Sequence, residues 1–321
     1  MPKVTVITAT YNGEKYITRA IDSVLGQTLE DLEFIIVDDG STDNTSSIIS
    51  QYAATDDRIR VVARVVASGG PTIPKNLALS LARAPYICFL DHDDYFHPEK
   101  LQTMCKALDK HEDWVAVFHD LQLVDKDETP HNGTYLSNAD FVNAAQAYLQ
   151  PDTDAWFRCT NDFYTFMSLR YAAMHTDTVM LARHRLLRDP ISFRHRFLGS
   201  DDTDLWLRVG AQGPMGYLNQ VLAYYRQHDQ NLSSDTLTMT RNAVEVHEEN
   251  YLQARHRFSE NDRLAYRKKI AMYYFELGYK LSTVGKFAEA KSAYLSALRL
   301  HLDFKSVKGL IKALVKGLVK S

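Results

Sequence analysis

The stretch "YICFLDHDDYF" (residues 86–96) decides how this chain is read. Tyr86 to Leu90 form an apolar run that suits a strand buried on both faces. The run stops at Asp91, His92, Asp93 and Asp94, and aromatic residues resume at Tyr95. Carboxylates that close repel one another unless a cation or a helix N-terminus takes up their charge. Two readings are open. The acids cap the helix that Pro98 starts, or they seat a divalent ion. Mg2+ and Mn2+ prefer hard oxygen ligands and share them with substrate phosphates.

The neighbouring elements bear on that choice. "VTVITAT" (4–10) is a β-branched run, followed by Tyr11-Asn12-Gly13 and a helix with Ile17, Ala20, Ile21, Val24 and Leu25 on one face. "EFIIVDD" (33–39) is a second strand, and Ser41, Thr42 and Asp43 are candidate N-caps for a helix reaching Tyr52. "IRVVARV" (59–65) is a third strand. Pro74 suits the first turn of the next helix, with Ala78, Leu81 and Ala82 inward. After "YICFL", Leu101, Met104, Cys105 and Leu108 share a helix face, and "WVAVF" (114–118) is a fifth strand. Apolar strands separated by helices predict an α/β fold: a doubly wound, mostly parallel sheet flanked by helices. In such sheets ligands bind beyond the carboxyl ends of the strands. Thr10-Tyr11-Asn12, Asp38-Asp39 and Asp91 to Asp94 all follow strands, so they share one rim. That placement favours the metal reading.

Residues 120–200 are less regular. They are expected to form loops and one or two strands, such as "TDTVMLAR" (176–183), that extend the sheet and shape an acceptor pocket. From about residue 241 the chain reads as helical, which divides it into a domain over 1–240 and a helical extension over 241–321. The net charge of -3 argues against a chain built to grip nucleic acid. Cys88, Cys105 and Cys159 show no CxxC spacing, so reduced thiols and a cytoplasmic setting are expected. No apolar run approaches the roughly 20 residues that span a bilayer.

Other rim residues carry chemistry. Asp39 is placed to accept a hydrogen bond from a base or ribose, and Tyr11 offers an aromatic face or ordinary packing. The glycine fingerprint of nicotinamide folds is missing, because "TATYNGEKY" follows strand one. "FLGSDDTDLWLRVG" (197–210) opens a second acidic helix, with Ser200 as a cap and Leu205, Trp206 and Val209 as anchors. A cap and the helix dipole explain one or two of Asp201, Asp202 and Asp204; a third suggests a general base. In "YYRQHDQNLS" (224–233), Arg226 suits a phosphate and His228 a metal.

Five motifs in order, "TVITATYNGEKYITRAIDSVLGQT", "EFIIVDDGSTDNT", "NLALSLARAPYICFLDHDD", "GSDDTDLWLRV" and "YRQHDQNLS", resemble those of family 2 inverting glycosyltransferases with the GT-A fold. The resemblance covers about residues 3 to 240. It implies a nucleotide-diphospho-sugar donor, most often a UDP-sugar, with Mn2+ or Mg2+, and a glycan or lipid-linked acceptor. By resemblance Tyr11 stacks on the base and Asp39 bonds the uracil ring. Asp91 and Asp93 form the DxD metal motif, with Asp94 beside them in the donor site, and His228 completes the metal shell. Asp202 matches the catalytic base. The chain departs from the pattern at Asp201, where Glu is usual, and at Ala9, where proline is frequent in the donor-binding strand end. Lys75 stands where Arg is common, so a phosphate contact there lacks bidentate geometry.

Two other readings compete. "FLDHDD" and "GSDDTD" echo a haloacid-dehalogenase-like phosphatase, but its nucleophilic strand normally opens the fold and position 94 is not Thr or Val. A non-catalytic, membrane-tethered nucleotide-sugar-binding scaffold is the other, against which stands the full set of acids.

The C-terminal region has two patterns. "FELGYKLSTVGKFAEAKSAYLSALRL" (275–300) resembles one tetratricopeptide repeat or a plain helical hairpin, and it would pack on a neighbouring helix or a second copy of the chain. In "DFKSVKGLIKALVKGLVKS" (303–321), Lys308, Lys312, Lys316 and Lys320 recur every four residues opposite Val307, Leu310, Ile311, Leu314, Val315 and Leu318. Such a helix either lies on an anionic membrane surface or packs on its neighbours. A peripheral position at the inner face of the membrane is the corresponding expectation.

Overall fold

The computed structural model describes residues 1–153, 155–170, 173–229 and 236–320. Residues 230–233 of the "YRQHDQNLS" motif lie outside the described residues. The chain forms two compact units. One comprises Met1–Tyr164, Ala172–His195 and Leu205–Asp229, the other Thr165–Tyr171, Arg196–Asp204 and Gln230–Ser321.

The first unit opens with β1 (Val4–Thr10), α1 (Ile17–Leu25), β2 (Leu32–Asp38), α2 (Thr45–Ala53), β3 (Ile59–Ala63), α3 (Thr72–Leu81), β4 (Tyr86–Phe89) and β5 (Tyr95–Phe96). It continues with α4 (Lys100–Lys110), β6 (Ala116–Val124), α5 (Tyr135–Asn138), α6 (Phe141–Ala145), β7 (Leu149–Pro151) and β8 (Trp156–Cys159). After α7 (Phe163–Leu169), most of which belongs to the second unit, come β9 (Val179–Ala182), α8 (Asp201–Gly210), whose first turn also belongs to the second unit, and β10 (Met215–Arg226). The strands form one mixed sheet in the order β3-β2-β1-β4-β9-β6-β10-β8-β7, with β5 paired to β10. The β1–β2, β2–β3, β1–β4 and β6–β10 ladders are parallel. They carry most of the paired residues.

Every residue of β1, β2 and β4 is buried, as expected for strands covered on both faces. Polar side chains in these strands find partners. Thr5 Oγ1 donates to Glu33 Oε1 at 2.6 Å, and Glu33 also accepts the Arg83 backbone N–H at 2.6 Å and Arg83 Nε at 2.8 Å. The inward face of α1 (Ile17, Ala20, Ile21 and Val24) packs with Phe34, Leu101, Met104 and Leu108 in one core.

Three details differ from the sequence reading. The α2 N-cap is Asn44, and its side chain makes no capping bond; Asp43 instead accepts from the Thr45 N–H at 3.0 Å. Leu79, not Leu81, is the buried leucine near the end of α3. The strand read at 176–183 does join the sheet, but it is shorter, Val179–Ala182. As β9 it sits between β4 and β6, antiparallel to both.

The second unit contains α9 (Thr236–Ala254), α10 (Glu260–Thr283), α11 (Phe287–Leu300) and α12 (Phe304–Lys320). Ser259 caps α10 in a reciprocal arrangement with Asp262. Gly285, at φ +78°, turns the chain between α10 and α11. Leu277, Leu281, Ala290, Ala293, Tyr294 and Ala313 form the core of this bundle. No helix among the described residues is long and apolar enough to cross a membrane.

Candidate active site

The chain runs outward from β1 to β3, then returns to place β4 on the other side of β1. That reversal opens a crevice at the carboxyl ends of β1 and β4. Register brings the ends together: Thr10 lies beside Asp38, and Ile7 beside Phe89. Because β9 is antiparallel to β4, its amino end reaches the same rim. The carboxyl end of β10 arrives there too, since Tyr95 of β5 pairs with Tyr224.

The four polar residues after β4 fare differently. Asp91 accepts Lys75 Nζ at 2.7 Å, and its N–H donates to Asp177 Oδ1 at 2.8 Å. Lys75 is 3 % exposed, so its cation is held against this acid. His92 packs on the loop after β1, where a Cβ on Gly13 would come within 2.7 Å of its ring. Asp93 Oδ2 lies 3.0 Å from His228 Nε2. Burial would raise the Asp93 carboxyl, but His228 and the charge of His92 hold it below the usual range. Asp94 is 1 % exposed, and its Oδ1 accepts the Arg226 N–H at 2.8 Å.

Behind this loop lies an inner trio. Asp94, His175 and Asp177 bring one ligand atom each within 4.8 Å of one another. Burial, then the charges of Asp177 and Asp93, push the Asp94 carboxyl well above its ordinary value. Asp177 is held down despite burial by the hydrogen bond and charge of His175, whose Nδ1 is 3.0 Å from Oδ2. Lys100 Nζ, fully buried over the Phe96 ring, donates to the Asp177 carbonyl. Burial lowers that ammonium to about 8.

His228 stacks on Tyr16 with ring centroids 4.8 Å apart. Arg226 lies over the same ring and pairs with Glu128 Oε1 at 2.8 Å. Tyr11 is 48 % exposed, so its ring face is open, whereas Ala9 is buried within β1. Asp39 is 3 % exposed. Its Oδ1 accepts Arg64 Nη1, and its Oδ2 accepts the Ser68 N–H at 2.8 Å and Oγ at 2.7 Å. A carboxylate has about four acceptor sites, so capacity for a further donor remains. Thr10 Oγ1 is buried at the end of β1 with no hydrogen-bond partner.

Asp202 lies in the first turn of α8, within the segment Arg196–Asp204 of the second unit. Asp201 is buried, and its Oδ1 accepts the Gly199 N–H at 2.9 Å. Asp202 is half-buried and accepts the N–H of Thr203 at 2.6 Å. The Ser200 hydroxyl does not cap the helix but donates to the Met239 carbonyl.

Residues 5–178, more than half of the chain, match the family model described as Glycosyl transferase family 2. The chain belongs to that family. It is 42 % identical over 101 residues to a poly(ribitol-phosphate) beta-glucosyltransferase of Bacillus spizizenii, a stretch covering 31 % of this chain and 16 % of that one. It is 30 % identical over 237 residues to TuaG of Bacillus subtilis, a glycosyltransferase named for teichuronic acid biosynthesis, covering 73 % of this chain and 82 % of the relative. Among solved structures, S. aureus TarS 1–349 in complex with UDP-GlcNAc superposes with a TM-score of 0.67 at 20 % identity, over 98 % of this chain and 88 % of that one. The expected GT-A architecture is therefore the fold of this family member.

Reading the sequence missed Tyr16, Arg64, Glu128, His175 and Asp177. His175 and Asp177 carry a faint signal: they precede an apolar run at "MHTDTVMLA" (174–182). Acids before a strand reach the rim only if that strand is antiparallel to its neighbours.

Proposed function

We propose that this chain is a metal-dependent inverting glycosyltransferase. It moves a sugar from a UDP-sugar to a hydroxyl group of a glycan or lipid-linked acceptor in cell-wall polysaccharide synthesis. The observation that carries this reading is the meeting of Asp93 and His228, from the ends of two distant segments, at 3.0 Å. Adjacent ligands of an octahedral ion at about 2.1 Å are separated by roughly that distance. The pair therefore fits Mn2+ or Mg2+ and is a hydrogen bond without it. The inner trio is a poorer seat for a catalytic ion, because Asp94 and Asp177 are each 1 % exposed and a diphosphate must reach the metal. The names of the relatives, one acting on poly(ribitol phosphate) and one assigned to teichuronic acid, support the acceptor class. The UDP-GlcNAc complex of TarS supports the donor class.

The roles are those that the family resemblance implies for the residues gathered here. Tyr11 gives its exposed ring to the base, and Asp39 accepts from the ring N–H of uracil. Ala9, at the end of β1, leaves room for the nucleotide. Lys75 holds Asp91 in place, and Arg226, through its backbone N–H, orients Asp94. Asp93 and His228 would hold a divalent ion, which would supply neutralisation of charge on the leaving diphosphate. Asp202 takes the proton from the acceptor hydroxyl, whose oxygen attacks the anomeric carbon opposite the diphosphate, inverting it.

Release of UDP from a panel of UDP-sugars with Mn2+ tests the activity, with p-nitrophenyl phosphate as the control for phosphatase chemistry. Removing a general base costs about 10² to 10⁴ in rate. Asp202→Asn is expected to lose transfer by that factor while UDP binding, followed by calorimetry, stays within about twofold. Near-normal turnover in the variant would remove Asp202 from the mechanism.

A further inference from the structure

The helix α12 has two apolar faces: its packed face is made mostly of small residues, and most of its large apolar residues point outward. Ser306 and Ala313 are 0 % and 2 % exposed, and Leu310 joins the bundle core. Gly309 meets Tyr294 so closely that a Cβ there would lie 2.5 Å from the ring. Positions 306, 309, 310 and 313 follow helical spacing and define the docked stripe. Phe304, Ile311 and Val315 are 79 %, 56 % and 56 % exposed, with Leu314 at 40 % beside them. They follow the i, i+7, i+11 spacing of a second stripe. Lys305, Lys308, Lys312 and Lys316, all exposed, form a ridge along one border of it. No acidic residue occurs between Phe304 and Lys320.

We propose that this outward face binds an anionic phospholipid surface. An apolar stripe bordered on one side by cations suits the boundary between acyl chains and headgroups. The apolar side chains enter, and the lysine stems lie along them with their ammonium groups in the headgroups. A protein partner would be expected to meet hydrogen-bonding side chains on such a face, and the stripe has none. Phe304 and the adjacent Leu302, 78 % exposed, extend the apolar surface at the helix start. The inference does not depend on the transferase reading, since surface binding is scored without turnover.

Sedimentation of the full chain with vesicles of phosphatidylglycerol and phosphatidylcholine, against vesicles of phosphatidylcholine alone, tests it. Binding to the anionic vesicles only, weakening as NaCl rises, is expected. Each lysine near such a surface contributes roughly fivefold, so the triple variant Lys308→Glu/Lys312→Glu/Lys316→Glu should bind at least about 100-fold more weakly. Ile311→Ser/Val315→Ser should also lose binding at low salt, with helicity by circular dichroism and UDP affinity unchanged. Absent binding, equal binding to neutral vesicles, or full binding by the serine variant would overturn the proposal. So would a fall in oligomer mass in the serine variant with vesicle binding intact, which would assign the stripe to a second copy of the chain.

Discussion

Asp39 illustrates how a single side chain is both built in and available. Its two oxygens hold Arg64 and Ser68, so it ties the segment after β3 to the end of β2. Charge-assisted bonds of this kind contribute about 1.5–3 kcal/mol each. Replacing Asp39 by Asn keeps the shape but presents an amide whose acceptor capacity is halved. If Asp39 also reads the ring N–H of uracil, Asp39→Asn should weaken UDP binding by about 10- to 100-fold and abolish the preference for UDP over CDP. Ser68→Ala removes one support and should leave that preference intact. Calorimetry with both nucleotides decides: a preserved preference in Asp39→Asn would take this residue out of base recognition and leave it a loop anchor.

At the level of elements, β1, β2, β3 and β4 were legible because each is an apolar run closed by a turn. Their acids were legible as a group because parallel strands end on one edge. Elements whose position depends on pairing were not. The two residues of β5 are too few for a pattern. In β10, register shifts between Leu218 and Ala223 break the alternation. The insertion of β9 between β4 and β6 is a tertiary choice that carries His175 and Asp177 to the rim, and the apolar run after them does not mark which way that strand pairs. The helices of the second unit were legible by periodicity, but not the buried cluster they enclose. There His247 Nδ1 and Asn250 Nδ2 both reach the Tyr266 hydroxyl, at 2.9 and 2.7 Å, and Lys269 donates to the Ser168 carbonyl at 2.8 Å. Burial lowers the Lys269 ammonium from 10.5 to about 7. Between those values the unfolded chain binds a proton that the folded chain does not, so this group's contribution to stability rises with pH across the window. Lys269→Met lacks the term. Its urea-unfolding free energy relative to wild type should therefore fall by about 1–2 kcal/mol from pH 7 to pH 9.5, allowing for solvent access. A constant difference would mean that the lysine keeps its ordinary pKa.

For the whole molecule, ligand binding and folding are linked. Anything that binds the folded chain alone stabilises it by about 2.7 kcal/mol at 100 times its Kd. UDP with Mn2+ should accordingly raise the melting transition of the first unit by about 5 °C or more. The proposed ion has two candidate donor sets, Asp93 with His228 and the trio of Asp94, His175 and Asp177. Both donors of the first are partly exposed, whereas in the second only His175 is and its two carboxylates are buried. The increment that Mn2+ adds to the UDP shift should vanish with EDTA and in His228→Ala or Asp93→Asn, and persist in His175→Ala once each variant is referred to its own ligand-free melting point. His175→Ala should start from a lower melting point, because it removes the imidazole that lies 3.0 Å from the buried Asp177 carboxylate. Loss of the Mn2+ increment in His175→Ala, with His228→Ala unaffected, would move the metal to the inner trio and make the Asp93–His228 contact a structural hydrogen bond.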